Sequence, residues 1–156
     1  MNTPTVISIR EKGALEFIHA LLQTGVTVRM RVSGISMLPL ICGGDVVEVA
    51  PLCEKKIRIG DIIFFCDQQG NPVVHRLHRR RYDSKVLYLQ TKGDACVYYD
   101  VAVPAHQVLG RVERIINEQK NINLKKKYHY WLARILVVRT AIFFCLRRIR
   151  VRIINS

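Results

Sequence analysis

The sequence predicts a mainly β domain of mostly antiparallel strands with a helical segment at each end. Three observations predict it. Six short segments alternate apolar and polar residues, Gly- and Asp-containing turns separate them, and no helical periodicity falls between them. A chain of 156 residues has room for one core and little else. Its 49% hydrophobic and 24% charged residues exclude wholesale disorder and fibrous repeats.

The first helix is expected over residues 9–24. Ser8 and Glu11 have capping-box spacing, Ala14, Leu15, Ile18, Leu21 and Leu22 share one helical face, and Gly25 is placed to end it. The period then changes to two. Val26, Val28, Met30 and Val32 alternate with Thr27, Arg29, Arg31 and Ser33, the pattern of a strand with one wet face. Further strands are expected at 45–50, 61–66, 73–79, 86–91 and 107–116. The turns between them are Gly43-Gly44, Gly60-Asp61, Gln69-Gly70-Asn71-Pro72, Asp83-Ser84 and Gly93-Asp94. From residue 125 the period is helical again, with Trp131, Ile135, Val138, Ile142, Leu146 and Ile149 at steps of three and four. The expected organisation is an N-terminal helix (1–25), a β domain (26–118) and a basic amphipathic tail (119–156).

Charge is concentrated in that tail. Residues 119–156 hold ten Lys/Arg and no acid, out of a formal net charge of +13, so the body is nearly balanced. A cationic end attracts anionic lipid, nucleic acid or an acidic partner. The five cysteines, Cys42, Cys53, Cys66, Cys96 and Cys145, show no zinc-like spacing and are too scattered for a disulfide framework. Cys42, Cys66 and Cys145 sit in apolar company and are expected to behave as small buried hydrophobes. No metal and no cofactor are expected.

Three segments can carry chemistry. Ser36 lies in Val32-Ser-Gly-Ile-Ser-Met-Leu-Pro-Leu-Ile-Cys-Gly-Gly-Asp45, where small residues and Pro39 turn the chain and can expose a nucleophilic hydroxyl. His75 shares a strand face with Val73 and Leu77, and Arg76 falls on the opposite, wet face. This points His75 inward and leaves His78 solvated beside Arg79-Arg80-Arg81. Asp94 and Asp100 flank a short aromatic stretch, Tyr98-Tyr99, that can shield the second acid. Asp45 and Asp61 are expected to be turn acids.

The pieces G-I-S-M-L-P…G-G-D, I-G-D-I-I-F-F, V-V-H-R-L, T-K-G-D…D and V-L-G-R-V stand in the order found in the superfamily of type I signal peptidases and LexA-like self-cleaving repressors. The chain resembles that superfamily over roughly residues 28–112. The resemblance implies a small, coiled, barrel-like antiparallel peptidase domain in which Ser36 is the nucleophile. Most bacterial members place a Lys base where this chain has His75, which resembles the signal peptidases of the endoplasmic-reticulum type. Their orienting acid falls on Asp100, and the turn acid of the motif on Asp94. Oxyanion and support positions fall on Ser36, Gly34, Met37 and Asp94. Two departures stand out. Leu40 follows Pro39 where a small residue is usual, and Gly34 offers no side-chain hydroxyl to an oxyanion, so the hole relies on backbone N–H groups, first that of Ser36. The membrane anchor and large extra domain of the long enzymes are not expected.

The resemblance implies a serine endopeptidase that cleaves a leader or signal segment of a precursor bound in extended form, with shallow pockets preferring small side chains near the cut. The alternative is a regulatory module of the repressor type that cuts itself or nothing. The X-Gly bonds available before Ser36 are Lys12-Gly13, Thr24-Gly25 and Ser33-Gly34, and 35 residues are too few for a helix-turn-helix domain. No specific nucleic acid is expected as a partner, because the tail interleaves its charges with apolar residues.

Residues 125–152 are expected to form an amphipathic helix along an anionic membrane surface on the cytoplasmic side without crossing it; the alternative is a helix packed on the β domain or on a partner. No signal-peptide anatomy and no run of about 18 uncharged apolar residues are present. A crossing would put Arg134 and Arg139 in hydrocarbon at about 2.5–3.5 kcal/mol each.

Overall fold

The computed structural model of the protein describes residues 6–8, 13–52, 56–117 and 121–125. Most of the basic tail and Cys145 therefore lie outside the described residues. Within them nine strands form one sheet: β1 (Val6–Ser8), β2 (Val28–Arg31), β3 (Val46–Pro51), β4 (Ile62–Cys66), β5 (Pro72–Asp83), β6 (Val86–Lys92), β7 (Val103–Pro104), β8 (Val108–Ile116) and β9 (Asn121–Asn123). The order across the sheet is β1-β2-β3-β8-β4-β5-β6-β7, with β9 added to β8. The sheet is open, and every pairing is antiparallel except β1 with β2. All six strands expected from alternation are present, and the domain is mainly β.

One helix, α1 (Ala14–Gln23), covers part of the sheet with Ala14, Ile18 and Leu22 buried. Its C-terminus closes as expected at Gly25, whose N–H bonds the Leu22 carbonyl (3.1 Å) while Val26 N–H bonds that of Leu21 (3.1 Å). Its start differs from the capping-box expectation. Gly13 occupies the N-cap without a side-chain bond, and Ser8 belongs to β1, where it pairs in register with Arg31. Ladder pairing with β2 claims the residue that local spacing offered as a cap. Asn121–Asn123, on the tail side of the expected boundary, pairs with Arg114–Ile116.

Two apolar clusters hold the sheet. One joins α1, β2, β3 and β8 to Met37 and Ile41 of the β2–β3 loop. The other joins β5, β6 and β7 to Ile57 and Val108. β4 belongs to both: Ile62 and Phe64 enter the first, Ile63 and Phe65 the second. A run of consecutive apolar residues is what a strand buried on both faces requires.

The wet-face expectation for Arg76 and the solvated one for His78 are both overturned: these residues are only 3% and 5% exposed. Two causes act. The segment after β6 covers this face of β5 and brings an acid to Arg76. A register shift between Leu77 and Arg79 against β6 makes His78 the extra residue of a β-bulge, which breaks the alternation from which its exposure was argued. Cys42 and Cys66, expected to be buried, are only half-buried, as is Cys96, and none of the three is in a disulfide. Asp45 and Asp61 are turn acids: Asp45 accepts from Cys42 N–H (2.9 Å) and Asp61 from Arg58 N–H (2.8 Å).

Candidate active site

Ser36 sits in the β2–β3 loop, whose base is closed by Val32 N–H to the Asp45 carbonyl (3.0 Å) and Gly44 N–H to the Val32 carbonyl (2.9 Å). Met37 and Ile41, 4% and 3% exposed, plug the loop into the first apolar cluster, so the intervening backbone is held and Ser36 remains at the surface of the cleft. Gly34 has φ +93°, a conformation that strains any side chain. The loop thus supplies no hydroxyl at that position. Among the described residues no acceptor takes the Ser36 N–H, while the Ser36 carbonyl is tied to Ala95 N–H at 2.9 Å.

β5 delivers His75 from the other side. Its Nε2 lies 3.0 Å from Ser36 Oγ, and its Nδ1 lies 2.7 Å from Asp100 Oδ2. Asp100 Oδ2 also accepts from the Thr91 hydroxyl (2.6 Å), and its N–H donates to the Thr91 carbonyl (2.9 Å). Burial alone would push the Asp100 carboxyl towards its neutral form; the hydrogen bonds from His75 and Thr91 outweigh it and hold the group below the usual carboxylate range. The acid is therefore ionised beside the imidazole at neutral pH. Serine, imidazole and carboxylate form one hydrogen-bonded line.

Asp94 is not part of that line. Both its oxygens bond the Arg76 guanidinium, to Nε at 2.7 Å and to the terminal nitrogen at 2.6 Å, and Arg76 also reaches the Gly60 carbonyl (2.9 Å). A buried forked pair of this kind fixes geometry as well as charge. It pins the turn after β6 to β5, so Asp94 supports the site and Asp100 faces the histidine. His78 packs edge-on against Tyr99 with centroids 5.4 Å apart, and the Arg79 guanidinium lies 4.5 Å over the same ring. Burial first, then the Lys92 charge, lowers the His78 pKa to about 4, so its ring is neutral at physiological pH.

Four participants carried no role in the sequence reading: Arg76, Thr91, Lys92 and Gly93. Three of them stand in the T-K-G-D motif, which was the signal available. Gly93 is required for space: a Cβ there would fall 2.6 Å from the Ser36 carbonyl oxygen, 2.7 Å from Cys96 Sγ and 3.1 Å from His75 Nε2.

A cleft of about 380 Å³ opens onto Ser36 and His75, walled by Val32, Met37, Ile41 and Val74. Residues 72–75 of β5 pair with β4 along one edge, while pairing with β6 begins only at Arg76. Among the described residues the other edge of that stretch, beside the nucleophile, has no strand partner. Residues 3–113 match the protein-family model described as Peptidase S24-like. No curated protein matches the chain.

Proposed function

The chain belongs to the Peptidase S24-like family, and from that premise we propose that it is a signal-peptidase-like serine endopeptidase that cleaves a leader or signal segment. The observation that carries this reading is the line from Ser36 Oγ through His75 to Asp100, at 3.0 and 2.7 Å. His75 Nε2 takes the Ser36 proton as Oγ attacks the scissile carbonyl. Asp100 keeps the other ring nitrogen protonated and stabilises the imidazolium that forms. The developing oxyanion is met by the Ser36 N–H, a backbone donor fixed before reaction. His75 returns the proton to the leaving amine, and water, activated by the same imidazole, releases the acyl group from Ser36. The edge of residues 72–75 that has no strand partner among the described residues supports a substrate bound as an added strand, with alternate side chains entering the cleft.

A pool of synthetic peptides of defined sequence, analysed by mass spectrometry, tests this. Wild-type protein should cut a subset at one bond each, and Ser36→Ala should cut none while keeping its melting temperature. Equal cleavage by both proteins ends the reading. The repressor-type alternative predicts instead a discrete self-cut fragment on incubating the pure protein at alkaline pH. Of its possible bonds, Thr24-Gly25 is held inside the closing turn of α1.

Membrane association belongs to the same proposal. Among the described residues no helix is long and apolar enough to cross a membrane. The basic residues 125–152 supply about 1 kcal/mol of attraction each near anionic lipid. Liposome flotation that requires anionic lipid and is lost on deleting residues 125–156 supports a peripheral anchor; flotation on neutral lipid alone, or none, removes it.

A further inference from the structure

We propose that Lys92 is a positioning residue for the serine–histidine–aspartate line, acting through the carbonyl of Cys96. The inference rests on the peptidase reading above.

Lys92 is the last residue of β6 and is only 2% exposed, an unusual place for an ammonium. Its Nζ donates to the Cys96 carbonyl at 2.8 Å. Burial lowers its pKa, and the nearby Asp94, Cys96 and Asp100 oppose that. The bond holds residues 93–100, which form no strand or helix. That segment makes two deliveries to the site from opposite ends: Ala95 N–H to the Ser36 carbonyl, and the Asp100 carboxylate to His75. Cys96 lies between them. Its own N–H bonds the Gly93 carbonyl at 3.0 Å, and its Sγ lies 4.0 Å from the Ser36 carbonyl oxygen.

The neighbouring ties each fix one point. Arg76 holds Asp94, and Thr91 holds Asp100. Between those points Tyr99 packs on His78 and Arg79, and Cys96 Sγ lies against the Ser36 carbonyl, so the Lys92 ammonium is the charged donor that fixes the backbone at Cys96. Without it the Cys96 carbonyl has one donor fewer, and the spacing between the Ser36 and His75 contacts is less tightly set. Removing the ammonium strands the Cys96 carbonyl, so a modest loss of stability is expected in any case. What marks positioning is the effect at the reacting atoms, where displacements approaching 1 Å cost on the order of 10²-fold in rate.

The experiment uses full-length Lys92→Met and a peptide that the wild type cuts. The expected result is a 10- to 100-fold fall in kcat with KM within twofold of wild type, in a variant that stays fully folded at the assay temperature. The far-downfield proton resonance of the His75–Asp100 bond should weaken or move in the same variant. Wild-type kcat overturns the inference, as does a loss of activity matched by a raised KM or by unfolding at the assay temperature. If Lys92→Met does not fold, Lys92→Gln, whose amide still donates, decides: kcat three- to tenfold down at unchanged KM supports positioning, and any other pattern overturns it. A wild type that cuts no peptide removes the peptidase reading and this inference together. A wild type that cuts, beside a variant that equals it, removes the inference alone.

Discussion

Gly93→Ala is the sharpest test of how the nucleophile is held. The new methyl group would start 2.6 Å from the Ser36 carbonyl oxygen, and ordinary contact begins near 3.4 Å, so roughly 0.8 Å must be found. The clash is with the Ser36 backbone on one side, which cannot yield cheaply, and with the terminal Cys96 Sγ at 2.7 Å on another, which can move only by turning about one bond. His75 Nε2, at 3.1 Å, has to give by a further few tenths of an ångström. Overpacking of this kind costs about 1–3 kcal/mol of stability. A displacement close to 1 Å at a nucleophile and its base costs about 10²-fold in rate, or about 2.7 kcal/mol of barrier. The expected outcome is kcat reduced about 100-fold, with a urea midpoint lowered in proportion to the packing cost. Steady-state kinetics on a cleaved peptide and urea unfolding on the same preparation measure both. A variant with kcat within threefold of wild type and an unchanged midpoint would refute the close packing of residues 93–96 on Ser36.

Asp100→Asn should leave the fold intact and lower kcat about 10⁴-fold, because an amide no longer fixes the working tautomer of His75. Asp94→Ala should do the reverse, costing about 3–5 kcal/mol in urea unfolding by stranding the buried Arg76 guanidinium. His78 gives a pH signature. Its pKa is about 4 in the folded protein and about 6.5 when unfolded, so below pH ~6.5 the unfolded chain binds a proton the native state refuses. Stability is full above that range, falls as pH drops, and levels off below about 4, with a total loss of about 3 kcal/mol at most. His78→Phe should flatten urea midpoints between pH 6.5 and 4, and a slope identical to wild type would contradict the assignment.

Strands β2, β3, β4, β5, β6 and β8 were legible because each is long enough to show its period or its apolar run. β1, β7 and β9 have three, two and three residues, too few for any period to register. Ser36, His75 and Asp100 stand in ordered motifs, and the structure places His75 within hydrogen-bonding distance of both Ser36 and Asp100. The burial of Arg76 and His78 is not legible from alternation, because a bulge breaks the parity at His78 and the segment that covers Arg76 is remote in sequence. Thr91, Lys92 and Gly93 stood in a quoted motif, yet their partners are Asp100, Cys96 and the Ser36 carbonyl. No local pattern announces contacts of that kind.

β4 carries one more consequence. Ile62, Ile63, Phe64 and Phe65 are apolar in sequence and buried on both faces, so a slip of one position exposes nothing that water would penalise. Polarity cannot choose the phase of this strand against β5, and the phase is what sets Ile63 opposite His75 rather than Val74 or Arg76. The choice falls to the two ends. At one, Asp67 gathers Gln69 N–H and Asn71 N–H at 2.9 and 2.8 Å. At the other, the Asp61 carbonyl takes Leu77 N–H and Gly60 N–H reaches the Leu77 carbonyl, each at 2.8 Å. The reactive imidazole is kept in phase by a pair of polar turns that never touch it.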